Sequence, residues 1–120
     1  MKLGRKITGG KYHHQRKKKH YEKQNQERPV VLGETKRKKI KIWGGELKTI
    51  LLKTREVNLL SNGKTQRTQI KNVIETPQNR FFARQNRLIK GAIIETTLGK
   101  ARITNRPSKE GMVNAILIEN

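Results

Sequence analysis

The sequence predicts an all-β protein: a small closed or nearly closed β-barrel of about six short strands, with a basic, extended N-terminal arm. Short apolar segments separated by turn residues recur along residues 36–120, and no convincing amphipathic helix lies among them. The Asn62-Gly63 pair between two such segments is typical of a type I′ hairpin turn. Because closure removes exposed strand edges, a barrel is the arrangement that these short strands favour.

Alternation and turn residues place the individual strands. Residues 39–43 alternate charged and apolar side chains up to Gly44-Gly45, and residues 47–60 are rich in Leu, Ile, Val and Thr. Residues 65–76 form the returning strand of the hairpin, which Pro77 ends. Residues 78–87 show neither helical nor strand periodicity and predict a long loop or a short helical turn. The segments 92–96, 101–105 and 112–118, with a loop over 106–111, predict a three-strand meander.

Charge divides the chain into two parts. The 120 residues include 29 Lys and Arg against 9 acidic residues, a net charge of +20. Residues 1–41 hold 15 basic and 3 acidic side chains, whereas residues 42–120 hold 14 and 6. We therefore expect a basic RNA-binding arm over residues 1–35 and a barrel body over residues 36–120. The arm has too few apolar side chains to offset its ordering entropy, so it is expected to be disordered without RNA.

The composition argues against an enzyme. The chain has no Cys, and its acidic residues are all Glu, so thiol chemistry and Asp-based catalytic groups are missing. His13, His14 and His20 lie among lysines that would repel a metal cation. Gly63-Lys64-Thr65 looks like the end of a phosphate-binding loop, but Asn58 stands where that motif needs a glycine. We expect no catalytic residues, metal, cofactor or small-molecule substrate.

A membrane is also an unsuitable partner. The longest apolar runs fall far short of the roughly 20 residues that span a bilayer. The arm has too few apolar residues for a basic amphipathic helix that would lie on a membrane surface. Nucleic acid is the remaining dense source of negative charge, and it is a suitable partner for a chain with this large a net positive charge.

Aromatic residues interleaved with the basic runs strengthen the case for nucleic acid, since they can stack on bases while Lys and Arg contact phosphates. For Trp43, capping the barrel core is an equally supported alternative. Of Phe81 and Phe82, one is expected to plug the barrel and the other to face outward with the nearby arginines. The predicted RNA-binding residues are Arg5, Lys6, Gly9, Gly10, Lys11, Tyr12, His13, His14, Arg16, Lys17, Lys18, Lys19, Lys36, Arg37, Lys38, Lys39, Lys41, Trp43, Arg80, Arg84 and Arg87. The alternative function is a general basic protein that binds or compacts nucleic acid without a fixed site.

Several ordered segments then carry a family resemblance: Arg5 to Lys11, the basic run at 16–19, the block from 36–39 to Gly44-Gly45, Lys90 to Thr96, Gly99 to Thr104, Arg106-Pro107 and Gly111 to Ala115. Together they resemble the archaeal and eukaryotic small-subunit ribosomal protein family designated eight-e, at its short archaeal length. The resemblance implies a cytoplasmic constituent of the small ribosomal subunit. It further implies binding to small-subunit ribosomal RNA beside neighbouring small-subunit proteins, with the arm ordered by the RNA.

Overall fold

A computed structural model describes residues 4–118. Along the chain, a 3₁₀ turn over His20–Glu22 precedes ten helices and strands. They are β1 (Val31–Leu32), β2 (Lys36–Lys41), β3 (Leu47–Thr54), β4 (Glu56–Ser61), β5 (Lys64–Glu75), α1 (Arg80–Arg84), β6 (Ile93–Thr96), β7 (Gly99–Ile103), α2 (Pro107–Glu110) and β8 (Asn114–Leu117). None of the helices in this described part of the chain is long and apolar enough to cross a membrane.

Strands β4 to β8 form a closed barrel in sequence order. Consecutive strands pair antiparallel, and β4 pairs with β8 in parallel to close the ring. The predicted closed barrel is confirmed, but it has five strands. Strands β1, β3 and β2 instead form a separate three-stranded sheet, in that spatial order.

The segment 47–60, which looks continuous in sequence, is divided between these two sheets. The chain leaves β3 at Thr54 and enters β4 at Glu56, with Arg55 between them. The buried Thr54 hydroxyl accepts a hydrogen bond from the Glu56 amide at 3.1 Å and lies 3.3 Å from the Thr35 hydroxyl. This local side-chain bonding satisfies polar groups where the strand breaks.

The barrel interior is filled by alternate residues of each strand, as the two-residue period of strands requires. The cluster includes Val57 and Leu59 of β4, Ile94 of β6 and Ile103 of β7. Leu51 of β3 joins the same cluster, so the second sheet packs against the barrel through its central strand. The expectation that a phenylalanine plugs the barrel is wrong. Phe81 is exposed and Phe82 is half-buried outside the core cluster.

The turns bear out most local predictions. Asn62 and Gly63 both have positive φ angles, 47° and 73°, as the type I′ hairpin requires. Of the long loop or short helical turn expected over residues 78–87, the structure contains the helical turn, α1, which the Asn79 side chain caps by accepting from the Phe81 amide at 3.0 Å. The predicted meander is β6, β7 and β8.

The loop predicted over 106–111 instead contains α2. Its first residue is Pro107, a position where the missing amide proton costs nothing. Gly111 ends it with a φ of 75°, the left-handed conformation that commonly terminates helices.

The body begins at Val30, earlier than the expected boundary at residue 36. Val30 is only 1% exposed and belongs to the core cluster. Its carbonyl accepts from the Leu88 amide at 2.8 Å, and β1 pairs in parallel with β3. The residues before it project away from the body. The radius of gyration is 21.5 Å, against roughly 14 Å for a compact chain of this length.

Candidate nucleic-acid interface

The arm, defined by the structure as residues 4–29, lies almost wholly in solvent. Every one of these residues is exposed except Glu22, which is half-buried. The segment holds nine Lys and Arg and two Glu. Its shape therefore comes from contacts between near neighbours in sequence, and nearly all its cationic side chains are accessible.

The first part of the arm forms a tight turn around Gly9. The Lys6 amide donates to the Gly10 carbonyl and the Gly9 amide to the Lys6 carbonyl, both at 2.9 Å. Gly9 has a φ of 79°, which favours glycine. The Arg5 guanidinium donates to the Gly9 carbonyl at 3.0 Å, and an isolated antiparallel β-bridge pairs the backbones of Arg5 and Lys11. This turn gathers the charges of Arg5, Lys6 and Lys11 in one place.

Tyr12 follows directly after this turn. The Lys6 ammonium lies 5.7 Å from the centre of the Tyr12 ring, within the range of a cation–π contact. Tyr12, His13 and His14 are all exposed. A base stacked on the Tyr12 ring would thus lie next to the Lys6 ammonium group.

Arg16 and Glu22 bracket the next basic run. The Arg16 guanidinium donates two hydrogen bonds to the Glu22 carboxylate, at 2.6 and 2.8 Å, and the Lys19 amide donates to the same carboxylate at 3.0 Å. The guanidinium and, secondarily, this amide lower the pKa of Glu22, and the carboxylate raises the pKa of Arg16. Within the described part of the chain, Lys17, Lys18 and Lys19 make no ion pair. They therefore carry the run's uncompensated charge.

A second basic surface lies on the β2–β3 hairpin. All of Lys36, Arg37, Lys38, Lys39 and Lys41 are exposed. The register pairs Lys39 with Thr49 and Lys41 with Leu47, so these side chains share one face of the sheet. Lys48 and Lys53 of β3 add two cations that the sequence analysis did not single out. Each is a single lysine among apolar and Thr residues, not part of a basic run, so no signal in the sequence marks it.

Arg37 differs from its neighbours because it joins the two sheets. Its Nε donates to the Gly111 carbonyl at 2.9 Å, while its other guanidinium nitrogens have no partner among the described residues. Arg37 also lines a polar cleft of about 230 Å³ at the junction of the sheets, with Glu56 and Arg67 on the barrel side. Glu56 and Arg67 form an ion pair with each other.

The tip of the β2–β3 hairpin is apolar and exposed. Trp43 is 83% exposed, so the alternative in which it caps the barrel core is wrong. Ile42 and Leu47 are exposed beside it. Gly44 and Gly45 turn the chain with φ angles of 89° and 82°, and the Ile42 amide donates to the Glu46 carbonyl at 2.9 Å to close the loop.

The arginines of α1 surround Phe81. The guanidinium carbons of Arg80 and Arg84 lie 5.3 and 5.7 Å from the centre of its ring. Phe81 thus faces outward with these two arginines, as predicted. Both guanidinium groups stay near solvent, where they can reach a phosphate.

Arg87 lies apart from this surface. It is only 8% exposed, its guanidinium carbon is 4.2 Å from the centre of the Phe82 ring, and it pairs with Glu27 at 3.3 Å. Arg87 therefore lacks the exposure that its predicted RNA contact requires. The sequence analysis placed it with Arg80 and Arg84 because all three lie in the segment 78–87, but α1 ends at Arg84 and the chain then turns inward to the buried Leu88.

The three histidines offer no metal centre in the described part of the chain. Within residues 4–118, no group of three His, Cys, Asp or Glu side chains is placed to hold a metal ion. Electrostatic and stacking contacts are the chemistry that the site's groups provide, and both suit a nucleic acid.

Comparison with known proteins identifies the family. The sequence model described as Ribosomal protein S8e matches residues 1–118 of the chain. The chain belongs to the ribosomal protein S8e family. This confirms the resemblance found in the sequence, and the match spans both the arm and the body.

Archaeal members of the S8e family align with nearly the whole chain. The protein from Methanocorpusculum labreanum, named small ribosomal subunit protein eS8, is 41% identical over 117 residues, which cover 96% of this chain and 94% of the relative. The protein of the same name from Nanoarchaeum equitans is 42% identical over 115 residues, covering 94% and 91%. A third, from Methanocella arvoryzae, is 40% identical over 119 residues, covering 98% and 95%.

Proposed function

We propose that this protein is a structural constituent of the small ribosomal subunit, which binds ribosomal RNA through its arm and through the basic β2–β3 hairpin. Membership of the S8e family and the names of its archaeal relatives support the ribosomal role. A ribosomal structural protein of this family is not an enzyme. As part of an archaeal-type small subunit, it works in the cytoplasm and contacts neighbouring subunit proteins.

The observation that carries the RNA contact is the exposure of the arm. Residues 4–29 hold nine cationic side chains, yet apart from the pair between Glu27 and Arg87 their bonds are to near neighbours in sequence. A segment with so few contacts cannot fix its own course through folding alone. Phosphates supply the missing partners, because each one neutralises a cation and releases bound counterions.

The body holds the cationic side chains and the start of the arm in fixed positions. The closed barrel is packed around an apolar core that includes Val30, and β1, which follows Val30, pairs with β3 of the second sheet. The lysines of β2 and β3 and the arginines of α1 extend the cationic surface onto this fixed frame. The arm thus contacts phosphates at a distance from the body, while the packed body fixes the position from which the arm extends.

Salt dependence of binding to small-subunit ribosomal RNA tests the proposal. If roughly eight phosphates are contacted, the logarithm of affinity falls with the logarithm of salt concentration at a slope of about −6 to −7. A variant with Lys17, Lys18 and Lys19 changed to Gln is expected to reduce that slope by about 2 to 3. The matched control changes Lys64, Lys71 and Lys100, three exposed barrel lysines, to Gln.

Two results would contradict the proposal. A nearly flat salt response excludes phosphate contacts as the basis of binding. An equal loss of slope in the barrel control would show that the arm has no special part. Competition with duplex DNA separates the ribosomal function from general compaction of nucleic acid: DNA that displaces the RNA at equal concentration favours compaction.

A further inference from the structure

We propose that Trp43, at the tip of the β2–β3 hairpin, stacks on an unpaired base of the bound RNA and makes this hairpin selective for non-helical RNA. The inference rests on the proposed function and adds to it a ligand class, an unstacked nucleobase, for one side chain. It separates two kinds of contact. The arm contacts phosphates in paired and unpaired RNA alike, whereas the hairpin tip requires a base with an uncovered face.

The first argument is the exposure of the tip. Trp43, Ile42 and Leu47 lie within six consecutive residues, and all are exposed. An added Cβ on Gly44 or Gly45 would meet no atom within 4 Å, so the space beside these two glycines is open. An exposed apolar group that contributes nothing to the core is expected to be covered by a partner.

The second argument is the charge of the stem, which indicates RNA as that partner. Residues 36–48 carry six Lys and Arg, and Glu46 is their only acidic residue. Such a stem attracts a phosphate backbone and repels a basic protein surface. A base attached to that backbone is then brought next to the indole, whose face suits stacking on any base.

The third argument is the rigidity of the support. Lys41 pairs with Leu47 at the end of the antiparallel ladder, and the Ile42 amide donates to the Glu46 carbonyl one step further. The two glycines then reverse the chain with positive φ angles that other residues rarely adopt. The indole is therefore presented on a structured turn, which lowers the entropy cost of stacking.

Geometry decides which bases can be reached. In an RNA helix both faces of a base are covered by its neighbours, and the deep, narrow major groove excludes side chains. Bulges, loops and ends leave base faces open. Stacking by Trp43 thus requires an unpaired nucleotide, and a fully paired duplex offers the hairpin only its phosphates.

Trp43 fluorescence gives a direct test, because the chain has a single Trp. The probes are a fully paired RNA duplex and the same duplex with one unpaired purine, each at salt concentrations where the wild-type protein binds. We expect the bulged RNA to quench Trp43 emission and to protect it from acrylamide. The paired duplex should bind without either effect.

Affinity measurements on variants supply the second test. For the bulged RNA, Trp43→Ala and Trp43→Leu should each lose about 5- to 150-fold, the range for loss of one base–aromatic stack, and Trp43→Phe should lose less. For the paired duplex, all three should bind as the wild type does. Leu47→Ala is the matched control, since it removes an exposed apolar side chain from the same tip.

The outcomes separate this inference from the function on which it rests. If the wild-type protein binds neither RNA at any salt concentration, the proposed function fails. If both RNAs bind and Trp43 stays accessible to acrylamide, the stacking inference alone is overturned. If Trp43→Leu keeps full affinity for the bulged RNA, or Leu47→Ala loses as much as Trp43→Ala, the tip makes only a general apolar contact and stacking is again excluded.

Discussion

The Arg37 side chain joins the two sheets of the body by donating from Nε to the Gly111 carbonyl at 2.9 Å. Arg37 belongs to the basic run of β2, and Gly111 ends the short helix α2 beside the barrel. One residue of a cationic run thus has a structural part, while its neighbours Lys38 and Lys39 have no hydrogen-bond partner among the described side-chain bonds. Charge alone does not distinguish these two roles.

Replacing Arg37 by Ala is therefore expected to destabilise the fold. Loss of a hydrogen bond from a charged donor costs about 1.5 kcal/mol. Lys39→Ala removes a charge from the same face of β2 and should change stability by less than about 0.5 kcal/mol. Urea unfolding of both variants measures the difference. Equal stability of the two would show that the Arg37 bond contributes nothing.

Replacing Gly111 is expected to destabilise the fold more than replacing a glycine of the hairpin tip. Its φ of 75° costs a non-glycine residue about 1 kcal/mol, and an added Cβ would lie 3.2 Å from the Thr49 carbonyl oxygen. We expect Gly111→Ala to lose about 2 kcal/mol or more. Gly44 has a similar φ of 89° but open space around it, so Gly44→Ala should lose only about 1 kcal/mol. A smaller loss at Gly111 than at Gly44 would contradict the close packing of α2 on β3.

The features that could be predicted from sequence are those determined by neighbours along the chain. The Asn62-Gly63 turn, the stop at Pro77 and the final meander all follow from local pattern. The break at Arg55 could not be predicted in this way, because it depends on Thr54 becoming buried and bonding across the second sheet. Val30 likewise has an ordinary local sequence and joins the body only through pairing with residues far along the chain.

The candidate interface divides in the same manner. The basic runs could be identified from the sequence because the charge of Lys and Arg does not depend on contacts made in the fold. The burial of Arg87 was not visible in the sequence because its environment is made by Phe82 and Glu27, which come together only in the fold. For Trp43, two environments fitted the sequence equally, and its exposure excludes the cap on the barrel core.

Substitution of Arg87 is predicted to affect mainly stability, and substitution of Arg84 mainly RNA binding. Arg87 stacks on Phe82 at 4.2 Å and is nearly buried, so Arg87→Ala should lose about 2 kcal/mol of stability through lost packing and cation–π contact. Arg84→Ala removes an exposed cation–π contact worth about 0.5 kcal/mol and should mainly weaken RNA binding. Thermal unfolding and RNA titration of both variants check this. The prediction fails if Arg87→Ala unfolds like the wild type.

The Arg16–Glu22 pair predicts how the arm responds to pH. Arg16 and the Lys19 amide lower the pKa of Glu22, so the ionised carboxylate stabilises the turn over residues 16–22. That stabilisation is complete above the ordinary pKa range of a glutamate, and it is lost as the pH falls through the lowered pKa. Below that pH, the carboxyl is protonated and no longer pairs with Arg16.

Carbon-detected NMR titration of the Glu22 carboxyl tests this dependence in the full chain. Arg16→Gln should raise the pKa of Glu22 most of the way to the ordinary range, leaving the smaller effect of the Lys19 amide. Lys17→Gln removes the same charge without touching the carboxylate, and it should leave the pKa of Glu22 nearly unchanged. If Glu22 of the wild type already titrates in the ordinary range, the turn does not form in the free protein, and RNA must then order this part of the arm as well.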